Sequence, residues 1–190
     1  MVVGKHFHSN LKGDTMSKHL ADYWQRVKDE LTVMFLTEPR FQLTADDHEA
    51  VRQAREMIRQ VYGYKACHYA CCALYASGEF KCGTHICCRR MHEFSVCAEH
   101  RPIERAHYRQ QKGDPDPIVT LATFHGGHDT NGQKSGEPYL ASPCEKCLRL
   151  LEQVSPDCLI VIDLDGQGRL AKIPLEAVEF FRHPRRHNGE

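Results

Sequence analysis

The sequence predicts an α/β fold in which helices pack against one sheet. Two observations lead to this prediction. Segments with the period of an amphipathic helix alternate along the chain with short apolar runs rich in β-branched residues, and this alternation is typical of layered α/β domains. Turns containing Gly or Pro separate the segments. The 190 residues are enough for one domain with a substantial core and an appendage.

The N-terminal part is predicted to hold a polar arm and two helices. Residues 1–17 are polar, with Gly, Ser and His, and are expected to form a loose arm. Apolar residues at helical spacing then predict an amphipathic helix over Lys18–Phe35, which Pro39 ends. The segment Thr44–Asp47 has the pattern of a helix N-cap with an acid three residues on, so a second helix should run to about Tyr62.

The remainder of the chain alternates between strands and helices. Strands are predicted over His68–Tyr75, Glu79–Cys88, Ile118–Phe124, Cys158–Leu164 and Arg169–Ile173. Helices are predicted over Cys97–Gln110, Pro143–Gln153 and Leu175–Phe181. A polar, glycine-rich loop, Gly126–Pro138, lies between them. We therefore divide the chain into an arm and helix (1–43), a main domain (44–181) and a basic, His-rich tail (182–190).

The overall charge favours a soluble protein without a charged macromolecular partner. Lys and Arg together number 25, as do Asp and Glu, so no net field attracts nucleic acid or an anionic membrane. No apolar run approaches the roughly 20 residues of a spanning helix, and the N-terminus lacks a signal-like apolar stretch. We expect a cytoplasmic protein, in which the ten cysteines serve as ligands, catalysts or buried small side chains rather than disulfides.

Two short strings carry the residues of a metal site. Cys144 and Cys147 are three positions apart, so on a helix both sulfurs lie on one face and can share a tetrahedral metal. Ser142 to Glu145 has the pattern of a capping box with Pro at the first helical position, which would place Cys144 in the first turn. Cys97 would supply a third ligand. Three protein ligands leave one position open, as in catalytic zinc sites.

Glu99 follows the ligand Cys97 by two positions. It is close enough to hydrogen-bond a water at the metal without binding the metal itself. Three cysteine ligands with a non-ligand glutamate as general acid/base match the known signature of zinc deaminases. The alternatives are a structural zinc knuckle or a redox pair, but a structural site normally needs a fourth protein ligand and the spacing places none.

The string Cys97-Ala98-Glu99, followed by Ser142-Pro143-Cys144 and Cys147, resembles the cytidine deaminase superfamily, in particular its cytidine and blasticidin-S deaminase branch. The order of helices and strands from about Thr44 to Phe181 is similar as well. The resemblance implies a three-layer α/β/α fold with a mixed five-stranded sheet and a homo-oligomer, dimer or tetramer. It also implies one Zn²⁺ per chain and hydrolysis of a ring amine with release of ammonia.

The same resemblance implies roles for residues around the metal. Glu99 would move protons between water, ring nitrogen and leaving amine. The carbonyl of Ser142 would accept from the leaving amine, and the N–H of Ala98 would donate to the ring carbonyl. His100 or Arg101 would offset the negative charge of the thiolates. Pro102 falls early in a predicted helix, so that helix should begin late or bend.

The predicted substrate-binding residues depart from the family pattern. Where the cytidine deaminases hold the ribose with Asn-x-Glu, the local correspondence here is His85-Ile86-Cys87, which supplies no carboxylate to a sugar hydroxyl. His125 and His128 flank or enter the Gly126–Pro138 loop, where they either contact substrate or belong to a solvated loop. We take His85, Cys87, His125 and His128 as candidate substrate contacts.

Two questions stay open at this point. A second metal site is possible among Cys67, His68, Cys71, Cys82 and Cys88. Strand cysteines, however, are more often buried small side chains. The function predicted is deamination of a small heteroaromatic amine, such as a nucleoside, a nucleobase or a cytosine-bearing natural product. The alternatives are a deaminase acting on a nucleic-acid base, and a catalytically silent zinc-binding interaction module.

Overall fold

The computed structural model describes residues 13–61, 68–86, 95–126 and 137–181. The helices are α1 (Gly13–Thr37), α2 (Ala45–Val61), α3 (His100–Gln111), α4 (Glu145–Val154) and α5 (Val178–Phe181), and 3-10 turns cover Pro39–Phe41 and Leu175–Ala177. The strands are β1 (Tyr69–Tyr75), β2 (Phe80–Thr84), β3 (Ile118–His125), β4 (Tyr139–Ala141), β5 (Leu159–Asp163) and β6 (Leu170–Pro174).

The strands form one mixed sheet in the order β2-β1-β3-β5-β6. The pairing of β3 with β5 is parallel and the other pairings are antiparallel. The predicted α/β fold with a mixed sheet is therefore confirmed, although the sheet has six strands where five were predicted. A sixth strand, β4, was not predicted; it pairs with the end of β3, where Tyr139 lies opposite His125.

Helix α2 covers one face of the sheet. Its start is the predicted cap: the Asp47 N–H donates to the Thr44 hydroxyl over 3.2 Å, and the Thr44 N–H donates to the Asp47 carboxylate over 2.8 Å. Its buried face packs against β1, β3 and β5 through Ala50, Val51, Ala54, Ile58, Ala70, Cys72, Ala122, Phe124 and Val161. The alternation of side chains along β1 therefore sends Cys71 to the opposite face.

Helix α3 covers the opposite face and packs against α4, which completes the three predicted layers. The buried Tyr75 of β1 donates its hydroxyl to the Pro102 carbonyl over 2.8 Å, which fixes the first turn of α3. As Pro102 required, α3 begins late, at His100 instead of Cys97. Because Pro102 then lies in the first turn, its missing N–H breaks no helical hydrogen bond.

The ends of three further elements differ from the predictions. Helix α1 begins at Gly13, inside the predicted arm, and α4 begins at Glu145 rather than Pro143. Strand β2 ends at Thr84; beyond it, Ile86 makes an isolated bridge to Val96. The predicted capping box from Ser142 is therefore wrong, because Cys144 itself is the cap, with an extended backbone.

The chain divides into two units, one ending at Met34 and the other beginning at Phe35. In the first unit, α1 exposes Leu20, Tyr23 and Trp24. In the second, Phe35 packs edge-on against Phe41 and Phe181. The division predicted at residue 44 stays a prediction. Among the described residues, no helix has the length and apolar character needed to cross a membrane.

Candidate metal centre and active site

Three cysteine sulfurs converge where α3 and α4 begin. The ligand atoms of Cys97, Cys144 and Cys147 all lie within 4.8 Å of one another, and the sulfurs of Cys97 and Cys144 are 3.6 Å apart. Two sulfurs bound to one tetrahedral zinc at about 2.3 Å would be about 3.8 Å apart. All three are free thiols. The donor set and its spacing therefore fit a zinc ion.

The position of Cys144 makes its sulfur the most acidic of the three. Hydrogen bonds from the thiols of Cys147 and Cys97 lower the pKa of Cys144, and the first-turn N–H groups of Cys147 and Lys146 lower it further. The hydrogen bond with Cys144 raises the pKa of Cys97, and hydrogen bonds with Cys144 and Cys97 raise the pKa of Cys147. A helix N-terminus thus stabilises negative charge at the cluster, as metal ligation requires.

Glu99 lies beside this cluster and is almost completely buried, with 4% of its surface exposed. One carboxylate oxygen is 3.7 Å from the Cys147 sulfur, and the other accepts a hydrogen bond from the Thr123 hydroxyl over 3.0 Å. Burial raises the pKa of Glu99, while its own N–H and Thr123 partly offset that increase. The carboxyl can therefore hold or release a proton next to the sulfurs.

The backbone between Cys97 and Glu99 lies directly on the sheet. Gly83 of β2 faces the Ala98 carbonyl so closely that a Cβ atom on Gly83 would be 2.1 Å from that oxygen. Pro102 is the next neighbour, at 3.2 Å from the same position. Only glycine allows this approach. The strand thus sets the height of the Cys97–Glu99 segment above the sheet.

Comparison with known proteins gives two relevant likenesses. Blasticidin-S deaminase of Bacillus cereus is 28% identical over 145 residues, which cover 76% of this chain and 97% of that protein. The crystal structure of the cytidine deaminase from Bacillus anthracis is similar with a TM-score of 0.54 and 15% identity, over 70% of this chain and 85% of that one. These likenesses support the predicted resemblance to the cytidine deaminase superfamily.

The other comparisons add little to this resemblance. The cytidine deaminase from Burkholderia pseudomallei matches with a TM-score of 0.49 and 15% identity, over 72% of this chain and 96% of that one. No family model matches the chain. The resemblance therefore rests on the extended sequence likeness to this blasticidin-S deaminase and on the shared fold.

The structure brings some of the predicted substrate contacts together. Since β2, β1, β3 and β4 pair side by side, His85, Tyr69, His125 and Tyr139 fall on the face that also carries Thr123. The rings of Tyr69 and His125 are 4.7 Å apart, and those of His125 and Tyr139 are 5.0 Å apart. The buried His85 Nδ1 atom has no hydrogen-bond partner. These four side chains form a ring cluster two positions along the strands from Thr123.

Other predicted residues lie apart or outside the described part. Cys87 and His128 are outside the described residues. Arg101 is exposed and His100 is partly buried in the first turn of α3, and their charge-balancing role stays a prediction. Ala98 is buried and Ser142 partly buried beside the cysteine cluster.

The second metal site that the sequence left possible receives no support among the described residues, where Cys97, Cys144 and Cys147 form the metal-binding group found. Cys71 and Cys82 lie on opposite faces of the sheet, because Cys71 pairs with Gly83 while Cys72 pairs with Cys82. They cannot share an ion. Cys67 and Cys88, the other cysteines considered, are outside the described residues.

Sequence reasoning missed four residues of the site: Thr123, Gly83, Tyr69 and Tyr139. A signal existed for two of them. Thr123 is a polar residue inside an apolar strand, and a glycine inside a strand often marks a close backbone approach. The two tyrosines had no such signal, because only the register between strands places them beside His125.

Proposed function

We propose that the chain is a zinc-dependent hydrolytic deaminase of a small heteroaromatic amine. The observation that carries this proposal is the position of a buried carboxylate, Glu99, 3.7 Å from a sulfur of a three-cysteine cluster. The sequence likeness to a blasticidin-S deaminase supports the same reaction. Cys97, Cys144 and Cys147 would hold one Zn²⁺, which supplies a water of lowered pKa when bound.

The cluster suits a catalytic ion better than a structural one. Among the described residues, no fourth Cys, His, Asp or Glu joins the three sulfurs. A three-ligand set leaves one coordination position for water or substrate, whereas structural zinc normally takes four protein ligands. Glu99 contacts the Cys147 sulfur, but its carboxylate is not among the ligand atoms that all lie within 4.8 Å of one another.

Glu99 would act as the proton carrier. It would accept a proton from the attacking water, deliver it to the ring nitrogen, and then help the amine leave as ammonia. Burial favours its protonated form, and the Thr123 hydroxyl holds one carboxylate oxygen so that the other faces the cysteines. The side chains of Glu99 and Thr123 are both buried.

The substrate would lie between the cysteine cluster and the ring cluster. We infer that the Ala98 N–H donates to a ring carbonyl and the Ser142 carbonyl accepts from the amine. The buried Nδ1 atom of His85 has no hydrogen-bond partner, which costs free energy unless a ligand forms a hydrogen bond with it. The aromatic rings offer stacking faces for a flat heterocycle. This combination favours a small molecule over a long polynucleotide.

Metal analysis and an ammonia-release screen test the proposal together. We expect one zinc per chain, with X-ray absorption showing three sulfur ligands and one light-atom ligand. The screen should include cytidine, cytosine, guanine, pterins and cytosine antibiotics. Replacing Cys144 or Cys147 by Ala should remove the metal and lower stability, because metal binding contributes folding energy.

Each other outcome has a distinct meaning. Four sulfur ligands would contradict the open site. Retained zinc without ammonia release from any of these amines would favour a silent zinc-binding module. Salt-sensitive binding of oligonucleotides, with deamination of a base in them, would favour a nucleic-acid editor.

We further propose a cytoplasmic homo-oligomer, which analytical ultracentrifugation and fractionation would test.

A further inference from the structure

We propose that Cys72 of β1 and Cys82 of β2 form a reversible disulfide that lowers the activity of the adjacent site. We call these two residues the strand dithiol. It lies on the α2 face of the sheet, opposite the cysteine cluster, and none of the roles described above uses it. Its effect on turnover rests on the proposed function, but formation of the bond does not.

The register of β1 and β2 places the two cysteines in the pairing position that favours a cross-link. Cys72 lies directly opposite Cys82. Backbone hydrogen bonds at Tyr75–Glu79 and His85–Tyr69 mark the hydrogen-bonded pairs of this ladder, so the intervening pair at Cys72 is non-hydrogen-bonded. Such pairs have Cα atoms about 4.5 Å apart, within the 4.4–6.8 Å range of disulfides.

The two sulfurs also point at the same place. Both thiols approach one side-chain oxygen of Gln53, Cys72 at 3.5 Å and Cys82 at 3.6 Å. A hydrogen bond between the two sulfurs raises the pKa of Cys72 and lowers that of Cys82, which Lys81 lowers further. Cys72 is fully buried, whereas Cys82 is partly exposed. Cys82 is thus the sulfur that a reagent in solution reaches first.

The oxidant we infer is a low-molecular-weight disulfide. The Cys82 thiolate attacks one sulfur of the reagent, and the reagent's other half leaves as a thiolate. The Cys72 thiol then loses its proton and attacks the Cys82 sulfur, which expels the second half. Two cysteine thiols are oxidised to one disulfide, one reagent disulfide is reduced to two thiols, and the two cysteine protons end on those thiols.

Gly83 connects the strand dithiol to the site. It follows Cys82 directly and presses against the Ala98 carbonyl on the opposite face. Disulfides most often hold their Cα atoms about 5.5–6 Å apart, against about 4.5 Å in a non-hydrogen-bonded pair, so closing the bond shifts β2 relative to β1. Since Ala98 lies between Cys97 and Glu99, a shift of Gly83 moves a ligand and the proton carrier together.

The experiment uses the full-length protein incubated anaerobically with oxidised glutathione. We expect a mass loss of two hydrogens, a peptide link between Cys72 and Cys82, and recovery with dithiothreitol. Cleavage after Lys81 separates the two cysteines, and fragment spectra assign the link. Turnover should fall by about 10- to 10²-fold, the range that a misplacement of about 1 Å can cause, while zinc content stays unchanged.

Cys82→Ser should keep basal turnover and lose sensitivity to the oxidant, and Cys72→Ala should do the same. Cys158→Ser, which changes another buried thiol, is the matched control and should stay sensitive. Three outcomes would each overturn the proposal. In the first, the Cys72–Cys82 link does not form under the oxidant; in the second, the oxidant lowers the turnover of Cys82→Ser as much as that of the wild type; in the third, the linked protein keeps its turnover. A reduced protein without turnover on any amine would instead overturn the proposed function, and the link would still be detected.

Discussion

At the scale of single residues, the site depends on where one buried carboxyl keeps its proton. Glu99 accepts from the Thr123 hydroxyl and its own N–H, while burial opposes its charge. Burial therefore raises the pKa of Glu99 above that of an exposed glutamate. Replacing Glu99 should therefore lower turnover while metal binding stays unchanged.

We expect Glu99→Ala to keep zinc and fold but to lose turnover by about 10²–10⁴-fold, because a positioned proton carrier is absent. Steady-state kinetics and metal analysis on the same preparation would measure both effects. Thr123→Val, which keeps shape and removes one hydroxyl, should cost less, about 10- to 10²-fold, the range expected for one hydrogen bond to a charged group. Near-normal turnover of Glu99→Ala would refute its assignment as acid/base.

Gly83→Ala should displace the Cys97–Glu99 segment, since the added Cβ would meet the Ala98 carbonyl. Backbone atoms cannot move aside as a flexible side chain does. We expect weaker zinc retention together with lower turnover, measured by zinc release to a chelator. Gly78→Ala is a matched control: the hairpin glycine has a positive φ of 83° but open space around its Cβ position, so it should lower stability without releasing zinc.

Cytidine itself should be a poor substrate. The segment His85-Ile86-Cys87 offers no carboxylate to a ribose hydroxyl, and a site built to bind a hydroxyl can discriminate by roughly 10⁴-fold. The ring cluster offers stacking surfaces instead. A cytidine kcat/KM within the range of about 10⁴–10⁸ M⁻¹s⁻¹ would show that the missing carboxylate does not matter.

At the scale of elements, a buried ion pair joins α2 to β6. Asp47 and Lys172 are 2.6 Å apart and both are buried, and Asp47 also accepts from Thr120 over 2.7 Å. Burial acts to raise the pKa of Asp47, but the hydrogen bonds from Lys172, Thr44 and Thr120 together lower it. The carboxyl group of Asp47 must therefore stay ionised to hold α2 against β6.

This pair predicts a specific loss of stability in acid. A lowered pKa in the folded state stabilises the protein above the unfolded value of about 3.9, and this contribution disappears as the pH falls through the folded value. Asp47→Asn should cost about 3–5 kcal/mol at pH 7, because Lys172 stays buried and unpaired, and should flatten the acid dependence. Urea unfolding between pH 7 and 3 would measure this.

Glu49→Gln, which removes a partner of the exposed Arg52 on the same helix, is the control and should unfold like the wild type. Asp47→Leu combined with Lys172→Met should recover most of the loss, because no buried charge is left unpaired. Equal stability of Asp47→Asn and wild type at pH 7 would contradict the account.

Helix α2 shows what local sequence can predict about an element. Its cap, its apolar face and its length follow from Thr44, Asp47 and the spacing of Val51, Ala54 and Ile58. Helix α4 shows the limit. Pro143 is suited to a first helical turn, yet Cys144 is extended and takes the cap position. Convergence with Cys97 and Cys147 is a tertiary requirement that local propensity does not record.

At the scale of the whole molecule, the order of elements could be predicted because it follows from patterns within short segments. The three-cysteine cluster could be predicted because its two short motifs match the signature of zinc deaminases. The ring cluster and the contact of Gly83 with Ala98 could not. Both depend on which residues of distant strands lie opposite one another. A shift of one residue in that register would turn each of these side chains to the other face.

The pair of Asp47 and Lys172 also constrains the order in which a nascent chain can acquire its structure. Thr120, 73 positions after Asp47, is a partner of that carboxylate, and Lys172 is synthesised later still. Until β6 has left the ribosome, Asp47 can enter the interior only as an unpaired charge, so α2 must stay partly hydrated during synthesis. We therefore expect a nascent protein halted before Lys172 to bind hydrophobic dyes and chaperones, and one halted after the final helix to release them.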